Sequence, residues 1–356
     1  MNRRALLRGL GAAALAAARP ALAYDAPVVR FNMTAWNAAV PEQATWTYLD
    51  ENGTVQGVEA CNKGAVGAGL GAADPVTGML QSAWNYAAAN ALPFVVTGRS
   101  YRVSDGQCPF LCTFAPITAP ASGDTRVEFN NVIWLQRPNG NGLIFDSSEL
   151  LDFRFSGGEM LYRGAHCPVL LQPKTQTPTI DNNLSINSGL IDISSITVQA
   201  GSSSLAAIVG IDSTYGFIGN MRLRFGQMAA GGFAQNGILI WQPGSPVHDL
   251  DIDAAYIVGV TQAGAQIGES AAPTLLYDIN ARVLDISPAG GSADCFRSFQ
   301  NGGSVHISRM GDLLGSSYNR GIVLEPGSAN VHYSYELAWG AAGGAVVNQG
   351  TGNVAC

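Results

Sequence analysis

The sequence predicts an all-β protein, a right-handed parallel β-helix that forms a single solenoid with a capping helix near its N-terminal end. Short segments in which apolar and polar residues alternate recur from about residue 127 onward. Equivalent positions in these segments are 25–29 residues apart, and a repeat period of 20–50 residues indicates stacked coils. A helical pattern precedes these segments.

The first 23 residues have the features of an export signal. A short basic region is followed by an Ala/Leu/Gly run and by Ala21-Leu22-Ala23, a small-x-small cleavage site. The apolar run is shorter than the roughly 20 residues that span a bilayer. Arg3 and Arg4 resemble a twin-arginine signal, and an ordinary secretory signal is the alternative. We therefore expect a periplasmic or secreted protein that begins near Tyr24 and keeps no membrane anchor.

The charge of the chain limits its partners. Removal of residues 1–23 takes away four arginines and no acid, so the formal charge changes from −7 to −11. An acidic chain of this kind argues against nucleic-acid binding, whereas a local arginine cluster would still bind an acidic polysaccharide. We find no cofactor motif.

The cysteines predict disulfides, because an even number in an exported chain is typical of a disulfide-bonded protein. A zinc site is less favoured, since no second Cys pair or close His pair completes four ligands. The six cysteines are Cys61, Cys108, Cys112, Cys167, Cys295 and Cys356.

An N-terminal segment with the capping helix is predicted over residues 24–103, and the β-helix over 104–356. Residues 24–70 have an irregular pattern. Asp74-Pro75 is a helix start, after which apolar residues such as Leu80 and Trp84 recur at helical spacing until Pro93 ends the helix. Strands follow at Phe94-Val95-Val96 and at Ser100-Tyr101-Arg102-Val103.

This entry region carries a family resemblance. Gly64-Ala65-Val66-Gly67, the helix, and the segment from Phe94 to Val103 resemble the start of the pectate-lyase-superfamily β-helix proteins. The resemblance implies a helix that caps the coil and a strand–turn–strand that begins the first rung. It also implies a polysaccharide hydrolase or lyase. The chain has Ala72-Ala73-Asp74 where the family usually has more acids, and it lacks the hydrolase Gly-His-Gly and Arg-x-Lys elements, which disfavours a polygalacturonase-like enzyme.

The alternating segments define the predicted rungs. A β-sandwich would explain the alternation equally well, but it explains neither the helix nor the regular spacing. In a stacked coil the apolar residues point into the bore and the polar residues point outward. The positions taken as equivalent are Thr197, Arg222, Asp251, Asn280, Ser308 and Ser334.

Outward residues of stacked rungs form a ladder with a spacing of about 4.8 Å, and charged residues gather on consecutive rungs of this chain. The predicted catalytic residues are Asp251, Asp253, Asp278 and Arg282. The predicted substrate-binding residues are Arg224, Asp249, Trp241, Tyr256 and His306.

Two chemistries suit this ladder. Residues two apart on a strand lie roughly 6.5–7 Å apart at Cα, so Asp251 and Asp253 suit an inverting glycosidase, in which one carboxyl is the acid and the other activates water. In a lyase, the clustered carboxylates would instead hold calcium against an acidic sugar. Arg282 would then orient the substrate or abstract the proton.

A non-catalytic alternative remains open. Outward Asp residues also keep a coil soluble and discourage edge pairing. The chain would then be a cell-surface module that binds glycan or has a structural role, and a homo-oligomer is one form that it could take. In each case the expected partner is a polysaccharide or oligosaccharide.

Overall fold

A computed structural model of the chain describes most residues from 27 to the C-terminus. No helix in this described part is long and apolar enough to cross a membrane. The described ranges are 27–36, 43–62, 75–98, 113–114, 117–120, 126–136, 142–145, 150–151, 153–162, 164, 166–173, 186–198, 205–214, 216–241, 244–269, 275–311 and 317–356.

One helix, α1 (Pro75–Ala89), and two sheets make up the described structure. The strands of the fifteen-stranded sheet are β1 (Val29–Trp36), β2 (Gln43–Leu49), β3 (Val55–Asn62), β4 (Phe94–Thr97), β5 (Thr113–Phe114), β7 (Arg126–Gln136), β9 (Leu150–Leu151), β10 (Arg154–Tyr162), β12 (Ile186–Val198), β14 (Ile218–Ala229), β16 (Val247–Val258), β18 (Leu276–Ser287), β20 (Ser304–Met310), β22 (His332–Ala338) and β24 (Val354–Ala355). The strands of the nine-stranded sheet are β6 (Ile117–Thr118), β8 (Leu143–Phe145), β11 (Val169–Leu171), β13 (Leu205–Asp212), β15 (Ala234–Trp241), β17 (Ala263–Ile267), β19 (Asp294–Ser298), β21 (Ile322–Leu324) and β23 (Val346–Asn348).

The chain winds as a parallel β-solenoid, which confirms the predicted fold class. From β10 onward successive strands alternate between the two sheets, and each pairs in parallel with the strand one coil away. Thus β14 pairs with β16 in one sheet and β15 with β17 in the other. This parallel stacking excludes the antiparallel β-sandwich alternative.

Apolar side chains fill the bore between the sheets. Ile252 lies in register between Leu223 and Ala281, and all three are buried. On the opposite sheet Ile238 and Ala265 form the same kind of column. Burial of a Leu or Ile side chain contributes about 1.5–3 kcal/mol, so these columns explain why every coil alternates.

The helix α1 packs at the N-terminal end of the solenoid, as its apolar spacing predicts. Trp84 is buried, with its ring centroid 6.1 Å from that of Phe94 and 6.2 Å from that of Phe155. The helix ends before Pro93 because Ala91 adopts a left-handed φ of 52° and Leu92 N–H donates to the Ala87 carbonyl at 2.8 Å. This geometry is a Schellman C-cap.

The segment before the helix differs from its prediction. The described parts of residues 24–70 are not irregular, since β1, β2 and β3 form an antiparallel extension of the sheet and β1 pairs in parallel with β4. The predicted strand at Phe94 is confirmed as β4. The predicted strand at Ser100-Tyr101-Arg102-Val103 lies outside the described residues.

Disulfides are absent from the cysteines whose side chains the structure describes. Cys167 and Cys295 are buried and free, and Cys356 is exposed and free. The predicted disulfides are therefore wrong for these three residues. The side chains of Cys61, Cys108 and Cys112 lie outside the described part.

A column of left-handed residues bends four successive strands of the large sheet. Ser188, Asn220, Asp249 and Asp278 have φ values of 57°, 50°, 50° and 55°. Ser188 and Asn220 occupy equivalent positions, and so do the two aspartates, because the residues on either side of each are paired in register. Asn and Asp tolerate this conformation better than other non-glycine residues. We call this bend the corner of the strand. Each of the four strands has a short arm before its corner and a long arm after it.

Candidate functional site

Two columns of polar residues run across the outer face of the long arms. We call the column formed by Asp192, Arg224, Asp253, Arg282 and His306 the charge ladder. The second column is formed by Arg222, Asp251, Asn280 and Ser304. Because rungs lie about 4.8 Å apart, each side chain reaches its neighbours on the rungs above and below.

The register differs in part from the prediction. Arg222, Asp251 and Asn280 are equivalent as predicted, at steps of 29 residues. The next neighbour of Asn280 is Ser304 rather than Ser308, because that step is only 24 residues.

The predicted ends of the column are also wrong. Leu190, and not Thr197, lies beside Arg222. Ser334 lies beside His306 in the charge ladder.

Asp253 lies between two guanidinium groups of the charge ladder. Its Oδ1 is 3.2 Å from Nε of Arg282, and its Oδ2 is 3.9 Å from Nε of Arg224. The Arg282 side chain is 69% exposed, whereas that of Asp253 is 34% exposed. Exposed ion pairs contribute about 0–1 kcal/mol to stability, so we expect this cluster to contribute little to the stability of the coil.

Asp251 belongs to a parallel chain of contacts. Nη2 of Arg222 lies 3.5 Å from one carboxylate oxygen, and Nδ2 of Asn280 donates to the other at 3.2 Å. Oδ1 of Asn280 in turn accepts a hydrogen bond from Oγ of Ser304 at 2.8 Å. In this column a guanidinium group and an amide flank the single carboxylate, and in the charge ladder Arg224 separates Asp192 from Asp253.

His306 has polar contacts at both ring nitrogens. Nδ1 lies 2.8 Å from Oγ of Ser334. Nε2 lies 3.4 Å from Oγ of Ser308 and 3.8 Å from Oε1 of Glu336. The ring is thus oriented by Ser334 and placed next to Arg282 on the preceding rung.

Two neighbouring grooves lie over these columns, and both include Arg224. The first groove has a volume of about 450 Å³ and contains Asp253, Arg282 and His306. The second has a volume of about 780 Å³ and contains Arg154, Asp249, Asp251 and Asn280 among its lining residues. The two grooves adjoin at Arg224 and together cross several rungs.

Asp249 and Asp278 are corner residues rather than outward members of the columns. Asp249 lines the second groove, and its Oδ2 lies 2.6 Å from Nδ1 of His248. Asp278 is exposed at the equivalent corner one rung away and lines neither groove. Their acidic character is explained by the left-handed backbone as well as by any role toward a ligand.

The two predicted aromatic residues lie apart from the charge ladder. Trp241 is on the nine-stranded sheet, where it packs against a small cluster that includes Cys167 and Leu239. Tyr256 is on the same strand as Asp253 but in another column, beside Gln227 and Asp285. The structure therefore brings Arg224, Asp251, Asp253, Arg282 and His306 together and leaves Trp241 on another face.

Sequence reasoning missed His248. Its ring stacks on Tyr277 with centroids 4.6 Å apart and packs against Phe217 at 4.4 Å. Burial, together with the charges of Asp249 and Asp278, raises the pKa of Tyr277. The sequence does contain a pattern that could have identified His248. An aromatic ring precedes a corner aspartate in two successive coils, as His248-Asp249 and as Tyr277-Asp278.

Within the described part of the chain, no three His, Cys, Asp or Glu side chains converge as metal ligands. In the two columns this agrees with the arginine and asparagine residues that lie next to each carboxylate. Comparison with known proteins adds no further guide to the chemistry: no family model, curated protein or solved structure matches this chain.

Proposed function

We propose that this chain is an exported polysaccharide-active enzyme, a glycoside hydrolase or polysaccharide lyase, that acts in the grooves over the charge ladder. The observation that carries this proposal is the contact of Asp253 with Arg282 on the next rung, and the position of His306 beside Arg282 in the same groove. The resemblance of residues 64–103 to the pectate-lyase superfamily supports the same class. It also supports a right-handed coil, the hand of nearly all parallel crossovers.

The contacts favour a lyase over a hydrolase. Asp253 faces guanidinium groups rather than a second carboxylate on the adjacent rungs. In a lyase, Arg282 would hold the carboxylate of an acidic sugar. His306 would then take the proton from the carbon beside that carboxylate and the glycosidic C–O bond would break. The leaving oxygen would take a proton from water, and the new chain end would be unsaturated.

The hydrolase remains the second candidate because β16 carries two outward carboxylates, Asp251 and Asp253. Their Cα spacing of roughly 6.5–7 Å suits a water molecule between an acid and a base. In either enzyme Arg224 and Asp249, which line the second groove, would bind neighbouring sugar units. Tyr256, on the same strand as Asp253, would contribute only where a long polymer extends beyond the grooves, and Trp241, on the other sheet, lies outside this surface.

A glycan-binding module without turnover is the third candidate. It is favoured by the ion pairs and the hydrogen bond that already engage the carboxylates of Asp251 and Asp253. Such a surface would bind a polymer through its hydroxyl groups and leave it intact.

An activity screen separates these candidates. The chain without residues 1–23 is incubated with neutral and acidic polysaccharides, with and without calcium, and both reducing ends and absorbance from unsaturated products are followed. Unsaturated products indicate the lyase, and reducing ends alone indicate the hydrolase. Binding without either product indicates the module, whereas neither binding nor products from a folded chain overturns the proposal.

Matched variants locate the activity. In the lyase we expect His306→Gln, which removes the proton acceptor, and Arg282→Gln, which removes the group that holds the sugar carboxylate, each to lower turnover by about 10²–10⁴-fold; in the hydrolase we expect the same loss for Asp253→Asn. Asp285 and Arg309 form a 2.9 Å ion pair on the same sheet outside both grooves. Asp285→Asn and Arg309→Gln are therefore the controls, and equal losses in these controls would contradict the site.

A further inference from the structure

We propose that copies of this chain associate head to tail, with β22 of one copy continuing the large sheet onto β3 of the next. The proposal rests on the two edges of the fifteen-stranded sheet. The strand order runs from β24 and β22 at one edge to β1, β2 and β3 at the other. It does not depend on the function proposed above.

Strand direction makes the two edges compatible. β2 is antiparallel to β1, and β3 is antiparallel to β2, so β3 runs in the same direction as β1. β1 is parallel to β4, and the parallel ladder continues from there to β22. A second copy placed along the solenoid axis therefore presents β3 to β22 in the parallel orientation that the rest of the sheet uses.

The C-terminal edge has unused pairing capacity. In the described part of the chain, β24 covers only His332 and Tyr333 of β22. The rest of β22, through Ala338, is the edge of the sheet. An uncovered edge of this kind presents free N–H and C=O groups to another strand.

Apolar side chains are exposed at both edges. Val55 and Val58 on β3 are 56% and 57% exposed, and Tyr335, Leu337 and Val354 at the other edge are 41–49% exposed. These are five of the eight large apolar side chains exposed in the described structure. Tyr335 is in register with buried Ile307, so it occupies a bore position, although its side chain is 41% exposed.

The contact joins two different surfaces and does not close on itself. A heterologous contact of this kind generates an open series of oligomers, whereas an isologous contact stops at a dimer. Association through β22 alone would give such a dimer. The two arrangements are thus distinguishable by variants at one edge.

Sedimentation velocity of the purified chain over a range of concentrations tests the proposal. We expect the wild type to form a concentration-dependent series beyond the dimer. Val58→Lys and Leu337→Lys should each weaken association by about tenfold or more, the effect of disrupting a buried interface residue. Leu284, which is 45% exposed on the central strand β18, provides the control, and Leu284→Lys should leave association unchanged.

Mixing the two edge variants gives a sharper result. Val58→Lys keeps an intact β22 edge and Leu337→Lys keeps an intact β3 edge, so an equimolar mixture should recover a heterodimer that grows no further. Circular dichroism confirms that each variant is folded. A wild type that stays monomeric at all concentrations overturns the proposal, as does an association that Val58→Lys leaves intact.

Discussion

Ile252 and Asp253 are neighbours on β16 but belong to two different regions of the molecule. Ile252 is buried in the bore between Leu223 and Ala281. Asp253 lies on the outer face, where its carboxylate contacts Arg224 and Arg282 from the adjacent rungs. The same strand pairing brings both sets of neighbours into register.

The two regions contribute differently to stability and to function. Apolar burial in the bore contributes about 25 cal/mol for each Å² removed from water, and every coil adds to it. Partly exposed ion pairs on the outer face contribute about 0–1 kcal/mol each. The bore therefore holds the solenoid together, and the outer face is free to carry a site.

The largest loss of stability is expected for substitution of Trp84, a buried side chain of α1. Trp84→Ala leaves a cavity against Phe94 and Phe155, and we expect it to lower the free energy of unfolding by about 3–5 kcal/mol. Tyr86 on the same helix is exposed and bonds Glu51 through its hydroxyl. Tyr86→Ala should cost less than about 1 kcal/mol in the same denaturant titration. Equal losses would show that the helix does not seal the bore.

Alkaline pH should lower the stability of the folded chain, because two ionisable side chains are buried in the bore. Burial raises the pKa of the Cys295 thiol above its ordinary value of 9.0 and that of the Tyr318 hydroxyl above 10.0. Above pH 9 the unfolded chain loses the thiol proton while the folded chain keeps it. Stability then falls as pH rises, by about 1.4 kcal/mol per pH unit for each such group.

Urea titrations between pH 7 and pH 10.5 measure this loss. Cys295→Ala should make the slope above pH 9 shallower by about 1.4 kcal/mol per pH unit, although it lowers stability at every pH. Parallel curves for the two proteins would mean that the Cys295 thiol is not protected by the fold.

The residues that line the bore could be predicted from sequence because the same pattern recurs in every coil. Alternation in every coil assigns the inward positions, and the helical spacing of residues such as Leu80 and Trp84 assigns the buried face of α1. The outer columns were predictable only where the coil length is constant. Arg222, Asp251 and Asn280 follow steps of 29 residues, whereas the step of 24 to Ser304 shifts the register and places His306 beside Arg282.

The corner and the second sheet were harder to predict. Alternation alone treats Asp249 as one more outward residue, since it does not record the left-handed φ that bends the strand there. Trp241 follows an apolar strand, and the sequence does not show which of the two sheets that strand joins. Both assignments depend on contacts between coils rather than on local pattern.

Substitution of the corner residue Asp249 should have a smaller effect on stability. Asp249 has a φ of 50° and is hydrogen-bonded to His248. We expect Asp249→Ala to lower the free energy of unfolding by about 1–2 kcal/mol, because alanine is disfavoured in the left-handed region. Asp249→Gly should cost less, since glycine adopts this conformation readily. Equal losses would assign the effect to the His248 contact rather than to the backbone.

The smallest expected change in stability is at Asp253, where the comparison with Ile252 is most direct. Asp253→Asn should lower the free energy of unfolding by less than about 1 kcal/mol, whereas Ile252→Ala should lower it by about 2–5 kcal/mol. A double-mutant cycle of Asp253→Asn with Arg282→Gln measures the coupling of the pair, which we expect to be below about 1 kcal/mol. A coupling well above this value would mean that the ladder is needed for the fold. Loss of activity in these variants would then no longer identify a catalytic role, because an unstable coil would explain it equally well.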